Sequence, residues 1–396
     1  MSTRDVVISG IGQSDVGRRL GRSPLTLTVD AALEAIADAG LSVSDIDGVA
    51  TWPGNTEATP GFSGVGVWDI KDALGLSLNW FCGGIEGPAQ IGSIIQAYAA
   101  VKAGLADHVL CFRTLWESTA QTAGRRASVP GAGSDRITGD AMHMQYLLPF
   151  GAVSATNWAG LIARRHFHTY GTTREQLGAL SVNTRANAAL NPKAVLRDPL
   201  TVSDYMAARM ISDPLCLFDC DIPIDGSTAV IVSRADAAPD LRTAPLRIAA
   251  TSSAMRDRPQ WDQHGDLTSM TASEVGADLW RKTDLTPADV DVAAIYDGFT
   301  ILTLLWLEAL GLCGRGESGP FVADAANIAL DGKLPLNTGG GQLSAGRLHG
   351  YGHLYEACVQ LRGAGGERQV PGTPEVAVVA TGGGPLAGAL LLTRDR

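Results

Sequence analysis

Charge is scarce in this chain. Of its 396 residues, 18% are Asp, Glu, Lys or Arg, against about 25% in an average soluble domain. With 45% hydrophobic residues, that composition implies a large core and surface hidden in an oligomer. No basic run exists, and the formal net charge is −10 with a pI near 5.2. Nucleic acid is therefore not an expected partner. No window approaches the ~18 uninterrupted apolar residues that a membrane span needs. The opening Met1-Ser-Thr-Arg-Asp-Val-Val-Ile-Ser-Gly10 reads as a short strand, not a signal peptide. Cysteine is sparse too. Cys82, Cys111, Cys216, Cys220, Cys313 and Cys358 are scattered through a long chain, which reads as reduced thiols in a cytoplasmic protein. Cys216-Leu-Phe-Asp-Cys220 has no second pair and no nearby His, so buried thiols are preferred over a metal site, and no metal is expected.

Glycine is plentiful. The chain has 47, well above the usual ~7%. Such a count suggests tight turns and close backbone approach to a ligand. Strand and helix signals alternate from the start: a strand at Val6 to Gly10, then a helix from Leu25 to Ala39 stopped by Gly40. Two segments repeat one pattern, Leu41-Ser-Val-Ser-Asp-Ile-Asp-Gly-Val-Ala50 and Leu285-Thr-Pro-Ala-Asp-Val-Asp-Val-Ala-Ala294. A second echo follows in the same order: Ala229-Val-Ile-Val-Ser-Arg234 and Ala389-Leu-Leu-Leu-Thr-Arg394. Two strand pairs repeated in order imply a duplicated α/β unit. Mainly parallel sheets covered on both faces are predicted. The junction falls near Ala235 to Pro245. The domains expected are an N-terminal half (1–113 with 227–240), an inserted loop domain (114–226) and a C-terminal half (241–396). Within the insertion, Val153 to Tyr170 and Thr173 to Leu190 read as helices, the second opened by the capping box Thr173-Arg-Glu-Gln176.

The chemistry is expected on four loops at strand ends. Cys82-Gly-Gly-Ile-Glu-Gly87-Pro-Ala opens the helix Ala89 to Ala103, whose free N–H groups suit a developing oxyanion. Ile295-Tyr-Asp-Gly-Phe-Thr300 ends a strand. Asn337-Thr-Gly-Gly-Gly-Gln-Leu-Ser-Ala-Gly-Arg-Leu-His-Gly-Tyr-Gly-His353 opens a helix, and Ala380-Thr-Gly-Gly-Gly384 precedes the last strand. Tight packing between layers accounts equally for any one of them. Their common place at strand ends favours a binding site.

These loops, in this order, resemble the active-site loops of the thiolase superfamily. The branch most similar is the thiolase-like half of sterol carrier protein X and lipid-transfer-type proteins. Arg165-His-Phe-His-Thr-Tyr-Gly-Thr-Thr-Arg-Glu-Gln-Leu177, Asn191-Pro, Met210-Ile-Ser-Asp-Pro-Leu-Cys216 and Asp225-Gly226 resemble that branch's loop domain. The resemblance covers essentially the whole chain. It implies a duplicated α/β thiolase fold, five-layered αβαβα, with a helical loop insertion. It also implies a homodimer.

The catalytic residues depart from the family. Thiolases carry a nucleophilic Cys before a helix that ends in Gly-x-Ala-Asp. Counting back from Gly104-Leu-Ala-Asp107 puts Gly87 at that place, and Cys82 falls out of register. The family's Asn-Glu-Ala-Phe is Tyr296-Asp-Gly-Phe299. Its Gly-His-Pro is Gly346-Arg347-Leu348. Its last Cys is Ala380 or Thr381. Without a thiolate the usual acyl-enzyme cannot form. The Tyr-Asp-x-Phe-Thr segment resembles instead that of steroid side-chain retro-aldolases. They cleave a β-hydroxyacyl-CoA to a ketone and a shorter acyl-CoA, working with a small partner that has an OB fold and a zinc ribbon. They use two tyrosines: Tyr296 matches the first, and Tyr351 stands near the second.

On this reading Tyr296 transfers the proton of the β-hydroxyl, with Tyr351 as second acid/base. A phenol needs a cationic neighbour to act as base, and Arg347 or His349 fits that need; His349 is itself an acid/base candidate. Arg347 binding Asp297 or a CoA phosphate is the plainer account of that residue. The glycines placed against the thioester are Gly87, Gly340, Gly383 and Gly384. No tightly bound cofactor is expected, coenzyme A entering as part of the substrate. His349 and His353 have metal-pair spacing, but no Glu lies between them. Trp52, Trp80 and Trp116 wall a pocket or fill the core. Two other functions stay open, an acyltransferase or condensing enzyme and a non-catalytic acyl-CoA-binding or scaffold subunit.

Overall fold

The apolar runs form one sheet. The structure is a computed structural model that describes residues 5–55, 60–84, 90–121, 144–237, 243–256 and 260–394. The sheet's nine strands are β1 (Val6–Gln13), β2 (Gly48–Thr51), β3 (Trp80–Gly83), β4 (His108–Trp116), β5 (Asp225–Arg234), β6 (Leu246–Met255), β7 (Val292–Ile295), β8 (Val376–Gly382) and β9 (Leu386–Arg394). Their spatial order is β3-β2-β4-β5-β1-β6-β9-β8-β7. Helices of eight residues or more, among the described residues, are α1 (Pro24–Asp38), α2 (Val67–Leu74), α3 (Gly92–Ala103), α4 (Ala155–Tyr170), α5 (Arg174–Ala189), α6 (Ala272–Trp280), α7 (Thr300–Ala309) and α8 (Tyr351–Leu361).

The repeated pattern has a local cause. The Ser42 and Thr286 backbone N–H groups each donate to the carboxylate three residues on, Asp45 and Asp289, at 2.7 Å. Each box closes a one-turn helix that delivers the chain into β2 or β7. The registers then match. Thr51 of β2 pairs with Phe112 of β4, which pairs with Ala229 of β5. Ile295 of β7 pairs with Ala380 of β8, which pairs with Ala389 of β9. The two sets meet where β1 runs antiparallel to β6, Val7 opposite Arg247. The counterpart of β3 in the second set is reduced to the bridge Ala293–Leu336.

The sheet is mixed, not mainly parallel as predicted. Only β2 with β3 and β4, and β7 with β8, run parallel. The strands that follow β4 and β8 fold straight back beside them, β5 after the insertion and β9 by a tight turn, so their ladders are antiparallel.

Five layers result. Helix α3 packs on β2, β4 and β5 and also reaches β6; α8 packs on β7 and β8 and also reaches β5 and β1. Both therefore lie between the two strand sets. Ile94, Ala97 and Val101 of α3 share one core with Leu354, Ala357 and Leu361 of α8. Helix α1 covers the outer face of the first set through Ala31, Ala35 and Ile36. Helices α6 and α7 cover that of the second through Val275, Leu279, Leu304 and Trp306. Each fully buried Leu or Ile among these contributes about 1.5–3 kcal/mol.

The chain leaves the sheet at Trp116 and returns at Asp225, and these two residues pair. Between them α4 and α5 form, the latter capped by Thr173 and Gln176. Buried Asp219 fastens this segment to the start of α7. It accepts from Tyr205 Oη at 2.7 Å, Cys216 N at 2.7 Å and Thr300 Oγ1 at 2.6 Å. A buried carboxylate with three donors is satisfied without a cation.

Candidate functional site

The ends of two parallel strand pairs, β2 with β4 and β7 with β8, meet around His349 and Gly350. The residue at or just beyond each end is Trp52 after β2, Arg113 in β4, Tyr296 after β7 and Thr381 in β8. The loop from Asn337 to Gly350 lies across them.

Tyr296 is held through its neighbours. Its N–H donates to Ala380 O at 2.9 Å. The Asn337 side chain closes both backbone groups of Ile295, accepting from its N–H and donating to its carbonyl, each at 2.8 Å. Asn337 thus acts as the missing neighbouring strand. The phenol ring folds over Gly298, where a Cβ would stand 2.7 Å from Cε1 and 2.9 Å from Oη. Tyr296 is nearly buried. Burial and then Asp221 push the phenol well above its ordinary value, while Arg347 and the Gln342 amide oppose them.

Asp297 turns inward. It accepts from Gln342 N at 2.7 Å and Leu343 N at 3.4 Å, and faces His353 Nε2 at 2.9 Å. It comes so close to Gly341 that a Cβ there would lie 1.9 Å from Oδ2. Arg347 does not pair with Asp297. Its N–H is pinned to Ile222 O at 2.9 Å, which carries the guanidinium to Glu117 at 2.7 Å and Asp221 at 3.3 Å. These two acids outweigh burial and hold Arg347 charged. Burial raises Asp221 to about 7 against the pull of Arg347, with Glu117 and Asp297 adding to the rise.

His349 sits at the centre with a left-handed backbone, φ 52°. It stacks on Trp52 at 5.5 Å, meets Phe62 edge-on at 4.9 Å and lies 6.2 Å from the Tyr296 ring. Arg113 donates to its Nδ1 at 3.3 Å. Burial, then Arg113 and Arg347, hold the imidazole well below its ordinary value. The ring is therefore neutral, with its proton on Nε2. Gln90 faces that atom at 3.5 Å. The positive charge in the site comes from Arg113 and Arg347, not from His349. Arg113 is fully buried and pulled down by burial to about 9. Its guanidinium lies over the rings of Phe62 at 4.6 Å and Trp52 at 5.8 Å.

Tyr351 is set apart. It opens α8, and its hydroxyl is 2.5 Å from Ser93 Oγ of α3, inside the core between those helices. Of the loop glycines, Gly340 and Gly383 spend their N–H groups on Asn337 O and Leu386 O. They cannot also hold a thioester oxygen, and each packs tightly, Gly340 on Ala188 and Gly383 on Trp306. Gly384 lies against Trp261. Gly87 is outside the described residues. Trp116 caps Arg22 O at 2.9 Å and Trp80 packs on the central core, so only Trp52 of the three tryptophans walls the site. His349 precedes α8, so it does not share a helix face with His353. Among the described residues no group of three His, Cys, Asp or Glu is placed to hold a metal ion.

Sequence reasoning passed over Arg113, Glu117, Asp221, Gln342 and the His353–Asp297 pair. Arg113 had a signal, a lone charge inside the apolar run of β4. The others did not, because their partners are distant in sequence. No thiolate is poised among the described residues. Cys82 contacts Gln96 at 3.1 Å, and burial raises its thiol. The arrangement is instead a buried phenol among arginines and acids, with an aromatic wall, suited to proton transfer.

Residues 253–392 match the model of the Thiolase C-terminal domain-like family. Over 403 aligned residues the chain is 36% identical to a steroid side-chain-cleaving aldolase of Thermomonospora curvata, covering 98% of each. It is 35% identical to a 17-hydroxy-3-oxo-4-pregnene-20-carboxyl-CoA lyase of Mycobacterium tuberculosis, covering 99% of this chain and all of the other. The solved structure of an Ltp2-ChsH2(DUF35) aldolase superposes with a TM-score of 0.88 at 33% identity, over 99% of this chain and 98% of that one. The chain belongs to the thiolase superfamily, in the lipid-transfer-type branch that contains the steroid side-chain-cleaving aldolases. No helix of the described residues is long and apolar enough to cross a membrane.

Proposed function

We propose that this protein is a carbon–carbon lyase that cleaves a β-hydroxyacyl-CoA of the steroid side-chain type to a ketone and a shorter acyl-CoA, without a cysteine nucleophile. The observation that carries the reading is Tyr296, a buried phenol at a strand end flanked by Arg347 and His349. In its ionised form, a minor one at rest because burial raises the phenol, Tyr296 takes the β-hydroxyl proton. The electron pair of the Cα–Cβ bond moves into a thioester enolate as the β-carbon becomes a ketone. The same phenol returns the proton to the α-carbon, since Tyr351 is engaged with Ser93. Arg347 makes the phenol more acidic, and Asp221 limits that effect. Arg113 holds His349 in the tautomer that donates through Nε2. Gly87 and Gly384 are assigned to the thioester oxygen, and Trp52 and Phe62 to the apolar wall. Asp297 and His353 fix the loop beneath Tyr296.

Coenzyme A is then part of the substrate rather than a resident cofactor. A homodimer fits the low charged fraction. A small OB-fold, zinc-ribbon protein is assigned as partner, and the cytoplasm as location. The test is mass spectrometry of products. The chain is co-expressed with such a partner and given β-hydroxyacyl-CoA substrates, including a steroid side-chain one. A ketone with acetyl-CoA or propionyl-CoA supports the reading. Intact substrate, with condensation or acyl exchange between acetyl-CoA molecules, replaces it by an acyltransferase. Silence in both assays leaves a scaffold subunit.

A further inference from the structure

One buried side chain at the site serves no structural partner. Gln342 is 1% exposed, and neither its carboxamide oxygen nor its nitrogen has a hydrogen-bond partner. A buried amide left unpaired destabilises the fold, so a purely structural position would favour an apolar residue. The backbone of Gln342 is, by contrast, fully tied. Its N–H donates to Asp297 at 2.7 Å, and its carbonyl accepts from Ile222 N at 3.3 Å. It lies in a single π-helical turn, Gly341–Ala345, and such turns recur at functional sites.

The neighbours define where the amide stands. Ile222 follows Asp221, whose N–H donates to Gly298 O at 3.1 Å. Gly298 is the residue over which the Tyr296 hydroxyl folds. Gln342, Asp221 and the Tyr296 hydroxyl therefore occupy one corner, and the amide stands near enough to the phenol to favour its ionised form against burial.

We propose that the Gln342 carboxamide binds the substrate oxygen on which Tyr296 acts, donating through Nε2 to the β-oxygen as it passes from hydroxyl to ketone. This rests on the lyase reading above. Its ligand class is a tertiary or secondary β-alcohol of an acyl-CoA and the ketone formed from it. The donor is held rigidly by the π turn and is desolvated before substrate arrives, which is the condition for a strong effect on a developing charge. The amide oxygen, left free, accepts from the Tyr296 hydroxyl once the phenol is protonated. The amide nitrogen thus gains its partner only in the reacting complex.

The experiment compares the wild type with Gln342→Leu and Gln342→Asn in two assays. The first is the melting temperature of the protein without ligand. The second is cleavage kinetics of the β-hydroxyacyl-CoA that the wild type accepts. The expected result is opposite signs. Gln342→Leu melts about 2 °C or more above the wild type, while kcat falls about 100-fold and KM changes less than about threefold. Gln342→Asn, with a shorter reach, falls between the two in kcat. A Gln342→Leu protein that melts lower than the wild type overturns the proposal, because the amide is then structural. So does one that keeps kcat within about threefold of the wild type. If the wild type itself cleaves no β-hydroxyacyl-CoA, the lyase reading fails on its own. The melting comparison still decides whether Gln342 is a structural residue.

Discussion

The two halves of this molecule put different side chains at the same place. The paired registers make Thr51 and Ile295 equivalent, and likewise Phe112 and Ala380. The next residue in each strand is then Trp52 against Tyr296, and Arg113 against Thr381. In the first half these are an indole and a guanidinium. Together with Phe62 they clamp His349 in one tautomer. In the second half they are a buried phenol and a buried hydroxyl whose oxygen has no partner. A duplicated framework has thus divided its work. On the proposed reading, one copy supplies the wall and a fixed charge, and the other supplies the group that moves a proton.

The sharpest way to break this comparison is to exchange the weight of the two aromatic positions. Tyr296→Phe keeps the ring and loses the proton carrier, so cleavage is expected to fall about 10³-fold. Trp52→Phe keeps an apolar wall and is expected to stay within about tenfold of the wild type, with the loss in KM. Steady-state kinetics of the two variants check this. Equal losses would erase the division.

A second test concerns the cations. Arg113→Met is expected to lower kcat/KM about 30-fold. It removes a charge that holds the imidazole of His349 down, so the ring's titration, read from its Cε1 proton by NMR, should move up towards the usual ~6.5. An unmoved titration would mean that burial and Arg347 set the state of His349 without Arg113.

A third test uses pH. Asp221 titrates near 7 in the folded protein and near 3.9 unfolded. The folded state therefore binds the extra proton between those values. Stability from this group is fully present below about pH 4 and is lost as pH rises through about 7. Asp221→Asn cannot lose that proton. Its melting temperature relative to the wild type should rise across pH 4 to 7. Asp221 also raises the phenol of Tyr296, so the variant should reach full activity at a lower pH than the wild type. A profile displaced upward would contradict the assigned coupling. The smallest expected effect is at Thr381. Thr381→Val removes an unpartnered buried hydroxyl and should raise the melting temperature by one or two degrees with activity little changed.

The duplication was legible because it is written locally. Leu41 to Ala50 and Leu285 to Ala294 carry a capping box followed by an apolar strand, and both features act within ten residues. The helices α4 and α5 and the cap at Thr173 were legible for the same reason. Tyr296 was legible from its loop. Tyr351 was assigned by distance along a glycine-rich loop, and spacing there does not give direction. Gly350, at φ 89°, turns the chain so that Tyr351 starts α8 and faces Ser93. Asp297 or a CoA phosphate is the plainer partner for Arg347 in the sequence. The structure gives Arg347 to Glu117 and Asp221, and Asp297 to His353. These partners come from the inserted segment and from α8. No local pattern reports a pairing set by how the loop packs on a distant segment. The mainly parallel sheet was a wrong inference from alternating elements, since two of the connections are returns rather than crossovers.

The central claim is that a phenol from the second half, not a thiolate, breaks the carbon–carbon bond. The most direct measurement is the yield of ketone and shortened acyl-CoA from wild type, Cys82→Ser and Tyr296→Phe, side by side with partner present. The account predicts equal yields from wild type and Cys82→Ser and almost none from Tyr296→Phe. Full yield from Tyr296→Phe, or its loss in Cys82→Ser, would contradict it.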